Sequence, residues 1–324
     1  MISLGIESTA HTFGIGILKN KEVLANVKDL FTTDKGGLIP VKVAIHHSDV
    51  CDKVLEDAIK KAKITMNDVD IISFSMSPGL GHTLRIGATV ARTLAVKYNK
   101  PLVGVNHAIA HLEIGRMLSG FNDPILLYAS GANTQVIAYD GGKYRVFGET
   151  LDNGVGNFID SFAREAGLGF PGGPKIEELA KKSRNYIELP YCVKGMDVNF
   201  GGILTNLKQK LKHNKLEDLA FSMQETVFAM LTEISERAMA HTEKKELVLG
   251  GGVACNKRLQ EMCLIMCEER EARYYCPENQ FLADNGAMIA WLGILMYRSG
   301  ITVDVEKSKV DPYERTDDVL VKWR

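Results

Sequence analysis

The sequence has no Cys-x-x-Cys pair, no apolar run approaching the length of a bilayer, and no excess of charge of either sign. Its six cysteines, at positions 51, 192, 255, 263, 267 and 276, are scattered along 324 residues with no recognisable signal peptide. That spread argues against a disulfide scaffold and for reduced thiols in a cytoplasmic protein. A membrane span needs about 20 consecutive apolar residues, so no membrane role is expected. With a net charge of −1, no global basic field would drive nucleic-acid binding alone. The local runs Lys60-Lys61-Ala62-Lys63 and Lys208, Lys210, Lys212, Lys215 read as solvated helix faces rather than phosphate contacts. No Gly-Lys-Ser/Thr loop is present, which excludes a Walker phosphate site, and a Rossmann dinucleotide site is not expected.

What stands out instead is residues 101–113. An apolar run, Leu102 to Val105, stops at Asn106, and a helical pattern begins. Asn is a favoured N-cap because its side chain accepts from the first free amides. His107 and His111 follow, one turn apart on one face of that helix. They would sit at the C-terminal end of a strand, where open α/β sheets place ligands. Such a pair can hold a transition metal, or it can be two packed histidines. Ala108, Ile109 and Ala110 fill the interval, so the Glu that a zincin protease needs is missing.

Strand-like runs at 2–6, 13–18 and 22–31 open the chain, with Glu7 to Thr12 between the first two. Gly36-Gly37 and Pro40 mark a loop, and 42–63 reads as an amphipathic helix carrying His46 and His47. A strand at 69–76, the turn Ser77-Pro78-Gly79-Leu80-Gly81 and a helix at 83–98 lead to the histidine helix. The second half repeats this order: three strand-like runs at 124–130, 133–139 and 143–149, then helices, including a long one at 216–241. A strand at 246–250 and Gly251-Gly252 follow, then a helix, a short strand at 273–276 and a last helix to about 298. Residues 301–324 read as a charged tail or linker.

Each half thus predicts three strands, helix, strand, glycine turn, helix, strand, helix. That is the pattern of the duplicated, two-lobe α/β superfold of actin, sugar kinases and heat-shock ATPases (ASKHA). The lobes would span 1–120 and 121–300, with the helix at about 284–299 packing back across the cleft. Glycine turns at 77–81, 130–132 and 250–252 each follow a strand. Missing Cβ atoms let backbone amides approach an anion or a ring closely. Three such turns in a pseudo-twofold arrangement point to one nucleotide between the lobes. Tyr128, ending its strand, and Asp284, starting the last helix, would lie at the mouth of that cleft. Alone, each has an ordinary explanation, as a packed residue and an N-cap. Together with His107 and His111 they form a set suited to iron, zinc or manganese.

Five stretches in order carry a specific resemblance: Ile6 to Thr12, Ser77 to Gly81, Asn106 to His111, Gly169 to Lys175, and Asp284 to Ala290. The chain resembles the universal tRNA threonylcarbamoyladenosine synthase family in its archaeal and eukaryotic branch, the catalytic subunit of the KEOPS complex. Older descriptions called this family a glycoprotease. The resemblance implies transfer of threonylcarbamoyl from threonylcarbamoyl-AMP to the exocyclic amine of the adenosine beside the anticodon, in tRNAs reading codons that start with A. It implies metal ligation by His107, His111, Tyr128 and Asp284, with His107, His111 and Asp284 serving catalysis through the metal, iron being favoured and zinc compatible. It implies adenylate contacts at Tyr128, Ala129, Ser130, Gly131, Ala132, Asp160, Gly173, Glu177 and Asn256. No general base stands out: Glu7 and His46 are the candidates, and the more ordinary reading of each is structural.

The sequence departs from the family at Ala132, where a second Gly is usual, at Gly201, where Ser is usual, and at Cys255, where Ala is common. Partners implied are tRNA, a small atypical protein kinase subunit that some relatives carry as a fused domain, and other KEOPS subunits. The tail to Arg324 resembles the junction to that domain, which would make the chain an excised part of a fusion. The near-neutral charge leaves much of the tRNA grip to partners. The rival readings are an ASKHA-type ATPase and a nucleotide-binding scaffold of the same complex.

Overall fold

The computed structural model describes residues 1–33 and 38–324, so the expected Gly36-Gly37 loop lies outside them. The first half contains β1 (Ile2–Glu7), β2 (Thr12–Lys19), β3 (Glu22–Leu30), α1 (Pro40–Ala62), β4 (Ile71–Ser77), α2 (Gly81–Tyr98), β5 (Leu102–Asn106) and α3 (His107–Ser119). The second contains β6 (Ile125–Ala129), β7 (Thr134–Asp140), β8 (Lys143–Glu149), α4 (Val155–Glu165), α5 (Gly173–Ala180), β9 (Val193–Lys194), β10 (Asp197–Val198), α6 (Gly201–Lys210), α7 (Leu216–Thr242), β11 (Glu246–Gly250), α8 (Lys257–Glu269), β12 (Arg273–Tyr275), α9 (Asn279–Leu282) and α10 (Gly286–Arg298).

Two five-stranded sheets share one design. Their orders are β3-β2-β1-β4-β5 and β8-β7-β6-β11-β12. In each, the first three strands are antiparallel and the last two parallel to the central one. The duplication expected from the sequence is therefore present in the sheets. It is unequal between them: where the first half has α1, the second has α4, α5, the β9–β10 hairpin, α6 and α7. Within this insertion Gly167 to Gly172 spell Gly-x-Gly-x-x-Gly, but they join α4 to α5. A dinucleotide fingerprint needs a strand before it and a helix after it.

Strands β1, β2 and β6 are apolar almost without alternation because helices cover both faces of their sheets. On the first sheet α1 packs on β2 and β3, while α10 packs on β1, β2 and β4. Helix α10 is apolar on every side, as a helix buried all round must be. It seats backbone to backbone: a methyl on Gly5 would stand 2.2 Å from Ala290 N, and one on Gly16 2.1 Å from Ala287 N. Its other side meets α3, which packs in turn on β11 of the second sheet. Residues of β5, α3, β6, β11 and α10 form one apolar cluster that joins the two halves.

The tail is a strap across both halves. Val303 N donates to Leu102 O at 2.9 Å, and Arg92 Nε to Ser308 Oγ at 2.8 Å. Glu314 accepts from the Ser77 hydroxyl and from Asn106 Nδ2. Beyond it, Lys143 Nζ donates to Asp317 O, and Trp323 Nε1 to the buried Glu113 Oε1 at 2.8 Å. The Arg324 guanidinium closes the strap 4.2 Å above the Tyr139 ring.

Candidate metal centre and cleft wall

Helix α3 begins as its sequence predicts. The Asn106 Oδ1 accepts from Ala108 N at 3.1 Å and Ile109 N at 3.3 Å. His107 and His111 lie on one face, with ring centroids 4.8 Å apart. Tyr128, near the end of the central strand β6, is fully buried and places its hydroxyl 3.0 Å from His107 Nε2. Asp284 arrives from the short link between α9 and α10. It is not the N-cap: Asn285 is, accepting from Met288 N at 3.0 Å. That leaves the Asp284 carboxylate free to face the histidines, with Oδ1 3.3 Å from His107 Nε2 and 3.4 Å from His111 Nε2. Ligand atoms of His107, His111 and Asp284 all lie within 4.8 Å of one another.

The charge pattern suits a cation. Burial opposes charge on His107, but Glu7, Tyr128 and Asp284 outweigh it and hold the imidazole well above its ordinary value. Burial likewise opposes the Asp284 carboxylate, yet His107 and His111 pull it well below the usual range. His111 moves the other way: burial, aided by His107, lowers it. Neither ring nitrogen of His111 has a hydrogen-bond partner among the described residues, although both are buried. An unpaired buried polar atom costs about 1–3 kcal/mol. A metal ion bound at Nε2 would remove that cost, so the donor set fits a metal in chemistry as well as in position.

Glu7 completes the centre from behind. Its Oε2 lies 2.9 Å from His107 Nδ1, and its Oε1 accepts from Thr9 N at 2.6 Å and Thr9 Oγ1 at 2.5 Å. An ionised carboxylate only accepts, so Nδ1 carries a proton and Nε2 is turned towards Asp284. Both oxygens of Glu7 are thus engaged, as in the structural alternative that the sequence left open for it. His46 is elsewhere. Its Nε2 pairs with Asp29 at 2.8 Å and its Nδ1 faces His47 Nδ1 at 3.2 Å, away from the metal set.

The remaining candidates stand on the second half. Ala129 ends β6, and the carbonyls of Ser130 and Gly131 accept from Gly156 N at 3.0 Å and Asn157 N at 2.9 Å, the first turn of α4. Gly131 and Ala132 are exposed, and among the described residues nothing accepts from their amides. Asp160, on α4, accepts from Gly172 N at 2.7 Å beside Gly173; burial raises its carboxyl against the Gly172 and Gly173 amides. Glu177, on α5, accepts from Lys257 N at 3.1 Å. Asn256 caps α8 through Arg258 N at 2.9 Å and donates to Gln224 at 2.9 Å. Hydrogen bonds therefore run from α4 to the loop before α5, and from α5 to α8. At Gly251 φ is +90°, and a methyl there would stand 2.3 Å from Ala129 O, so only Gly lets this turn close on β6.

Residues 21–291 match the family model described as TsaD, tRNA N6-adenosine threonylcarbamoyltransferase. The chain belongs to the TsaD family. A relative of that name from Thermococcus kodakarensis is 58% identical over 325 residues, covering 100% of both chains. A Thermoplasma acidophilum relative named a probable bifunctional tRNA threonylcarbamoyladenosine biosynthesis protein is 50% identical; the match covers 100% of this chain and 61% of that one. Among solved structures, T. kodakarensis HypF aligns with TM-score 0.65 at 14% identity, over 92% of this chain and 48% of that one. The activator of the 2-hydroxyisocaproyl-CoA dehydratase from Clostridium difficile, with bound ADPNP, aligns with TM-score 0.56 at 13% identity, over 93% and 97%. Likeness at that identity speaks for the two-lobe fold alone.

For a TsaD-family chain, the three departures have local explanations. Ala132 has no positive φ, so an L-residue is unstrained there. Gly201 offers its amide to Asp152 Oδ2 at 2.5 Å, a bond that needs no side chain. The Cys255 thiol is pushed up by burial and stays neutral, as a small apolar residue would. The sequence reading missed Thr9 and Lys28 and did not place Glu7 behind His107. Glu7 and His107 are 100 residues apart, and no local pattern reports such a contact.

Proposed function

We propose that this chain is a tRNA N6-adenosine threonylcarbamoyltransferase of ASKHA type that takes its acyl group from threonylcarbamoyl-AMP. The acceptor is the adenosine 3′ of the anticodon in tRNAs reading codons that start with A. The observation that carries the reading is the meeting of His107, His111, Tyr128 and Asp284 beside the 129–132 turn. The adenosine amine attacks the carbamoyl carbon, a C–N bond forms, the carbon–oxygen bond to phosphate breaks, and AMP leaves with that electron pair. The amine's proton passes to solvent. A mixed anhydride is already activated, so no covalent enzyme intermediate is needed.

His107, His111, Tyr128 and Asp284 would hold one divalent metal, iron being favoured and zinc compatible. Such an ion would supply Lewis-acid charge beside the leaving phosphate. Glu7 fixes the His107 tautomer, and Asn106 holds the start of the histidine helix. The free amides of Gly131 and Ala132 suit phosphate oxygens. Asp160 and Glu177 suit ribose hydroxyls, with Gly173 and Asn256 shaping the same wall. The partners are tRNA, a small atypical kinase and other KEOPS subunits; relatives named bifunctional, in one of which the match covers 61% of the chain, support a second function fused to this one. Six unpaired cysteines suit a reducing cytoplasm. Among the described residues no helix is long and apolar enough to cross a membrane.

The test supplies threonylcarbamoyl-AMP and unmodified tRNA with the partner subunits and compares wild type with His111→Ala. The expected result is modified tRNA from wild type and a loss of at least about 100-fold in the variant, the scale of removing a strong transition-state interaction. Equal modification by both would refute the metal's part. ATP turnover that needs neither tRNA nor His111 would favour the ATPase reading instead.

A further inference from the structure

Lys28 stands on β3 of the first sheet and is half-buried. Its Nζ donates to the Asp284 main-chain carbonyl at 3.2 Å, and among the described residues it forms no ion pair. Burial lowers its pKa from the ordinary lysine value, and Asp284, Cys255 and Glu7, in that order, act against that to favour the charged form. Asp284 and Glu7 belong to the metal centre. Cys255 precedes Asn256 on the second half's wall. Lys28 is therefore a basic side chain of the first half that is bonded to a residue of the metal centre and feels the Cys255 thiol of the second half.

An ammonium has three N–H donors, and one is used here. A divalent ion would cancel the charges of Glu7 and Asp284, leaving the Lys28 ammonium as surplus positive charge. A half-buried surplus cation is best matched by an anion. The donor has two anionic ends, the adenylate phosphate and the threonyl carboxylate, and both present charged oxygens.

We propose that Lys28 holds a charged oxygen of the acyl-adenylate donor and so sets donor affinity. The inference rests on the donor assignment under Proposed function. It differs from a structural role, in which Lys28 would only tie β3 to the loop before α10. That role would affect folding and leave discrimination between charged and uncharged ligands untouched.

The test uses the metal-loaded full chain and Lys28→Met, with Lys28→Arg to restore the charge. Binding of AMP and of adenosine is measured by calorimetry, and KM and kcat for threonylcarbamoyl-AMP with the partner subunits. A charged hydrogen bond is worth about a 10- to 100-fold change. If Lys28 holds the phosphate, Lys28→Met weakens AMP by that factor, leaves adenosine unchanged, and Lys28→Arg recovers part of the loss. If it holds the carboxylate, AMP and adenosine are both unchanged while KM for the donor rises by that factor at constant kcat. The proposal is overturned if neither AMP affinity nor donor KM moves, or if AMP and adenosine weaken equally. Wild type that binds neither AMP nor adenosine would remove the donor assignment itself and this proposal with it.

Discussion

Glu7→Gln tests the metal centre with the smallest change of shape. The carboxylate is completely buried, and its two oxygens serve His107 Nδ1 at 2.9 Å and Thr9 at 2.5–2.6 Å. Glutamine fits the same space with one oxygen and one NH2. The Thr9 amide needs an acceptor, so the Gln oxygen must turn towards Thr9. The NH2 then faces His107 Nδ1, and a donor there forces Nδ1 to accept. The imidazole proton moves to Nε2, the nitrogen that faces Tyr128 and Asp284. One substitution therefore removes a charge from behind the metal ligand and selects the tautomer that cannot ligate. Losing an orienting carboxylate weakens metal binding about 10- to 100-fold, or about 1.4–2.7 kcal/mol. The tautomer change pushes the result to the upper end. The assay is competition for zinc or iron against a chelator of known affinity at pH 7.5, with circular dichroism to establish the fold. Glu7→Gln with wild-type metal affinity would refute the orienting role and with it the use of His107 Nε2 as a ligand.

Two further predictions follow from the fold. Gly5→Ala would drive a methyl to 2.2 Å from Ala290 N, a backbone atom that cannot rotate away. We expect a loss of about 3 kcal/mol or more in denaturant unfolding, and weaker metal binding because Asp284 leads into the displaced helix; an unchanged midpoint would contradict the seating of α10 on β1. Asp152 is held below the usual carboxylate range: burial opposes it, but the amides of Phe200, Asn153 and Gly201 prevail. A depressed folded-state value gives stability above the unfolded pKa of about 3.9, lost as pH falls through the folded value. Asp152→Asn should thus be less stable than wild type at pH 7, by about 0.5–1 kcal/mol given its exposure. The gap should close below about pH 4; a gap that persists at pH 2 would show the bonds are not charge-assisted.

The sequence by itself determined the elements and their duplication. Continuous apolar runs such as Ile125 to Ala129 make strands covered on both faces, and Asn106 starts a helix wherever a strand delivers it, because its cap bonds are local. The one-turn spacing of His107 and His111 follows from helix geometry alone. What only the tertiary structure decided are the relations between segments far apart in the chain. Nothing near Asp284 in sequence says that Asn285 takes the cap and frees it, or that α10 crosses to the first sheet on Gly5 and Gly16. Nothing near His107 announces Glu7 behind it, nor Glu314 of the strap against Asn106. Periodicity encodes which face of an element is apolar, but not which distant face will cover it. That choice is made by close packing of whole elements, and it is this packing that brings two histidines, a tyrosine and an aspartate from three regions of the chain to one point.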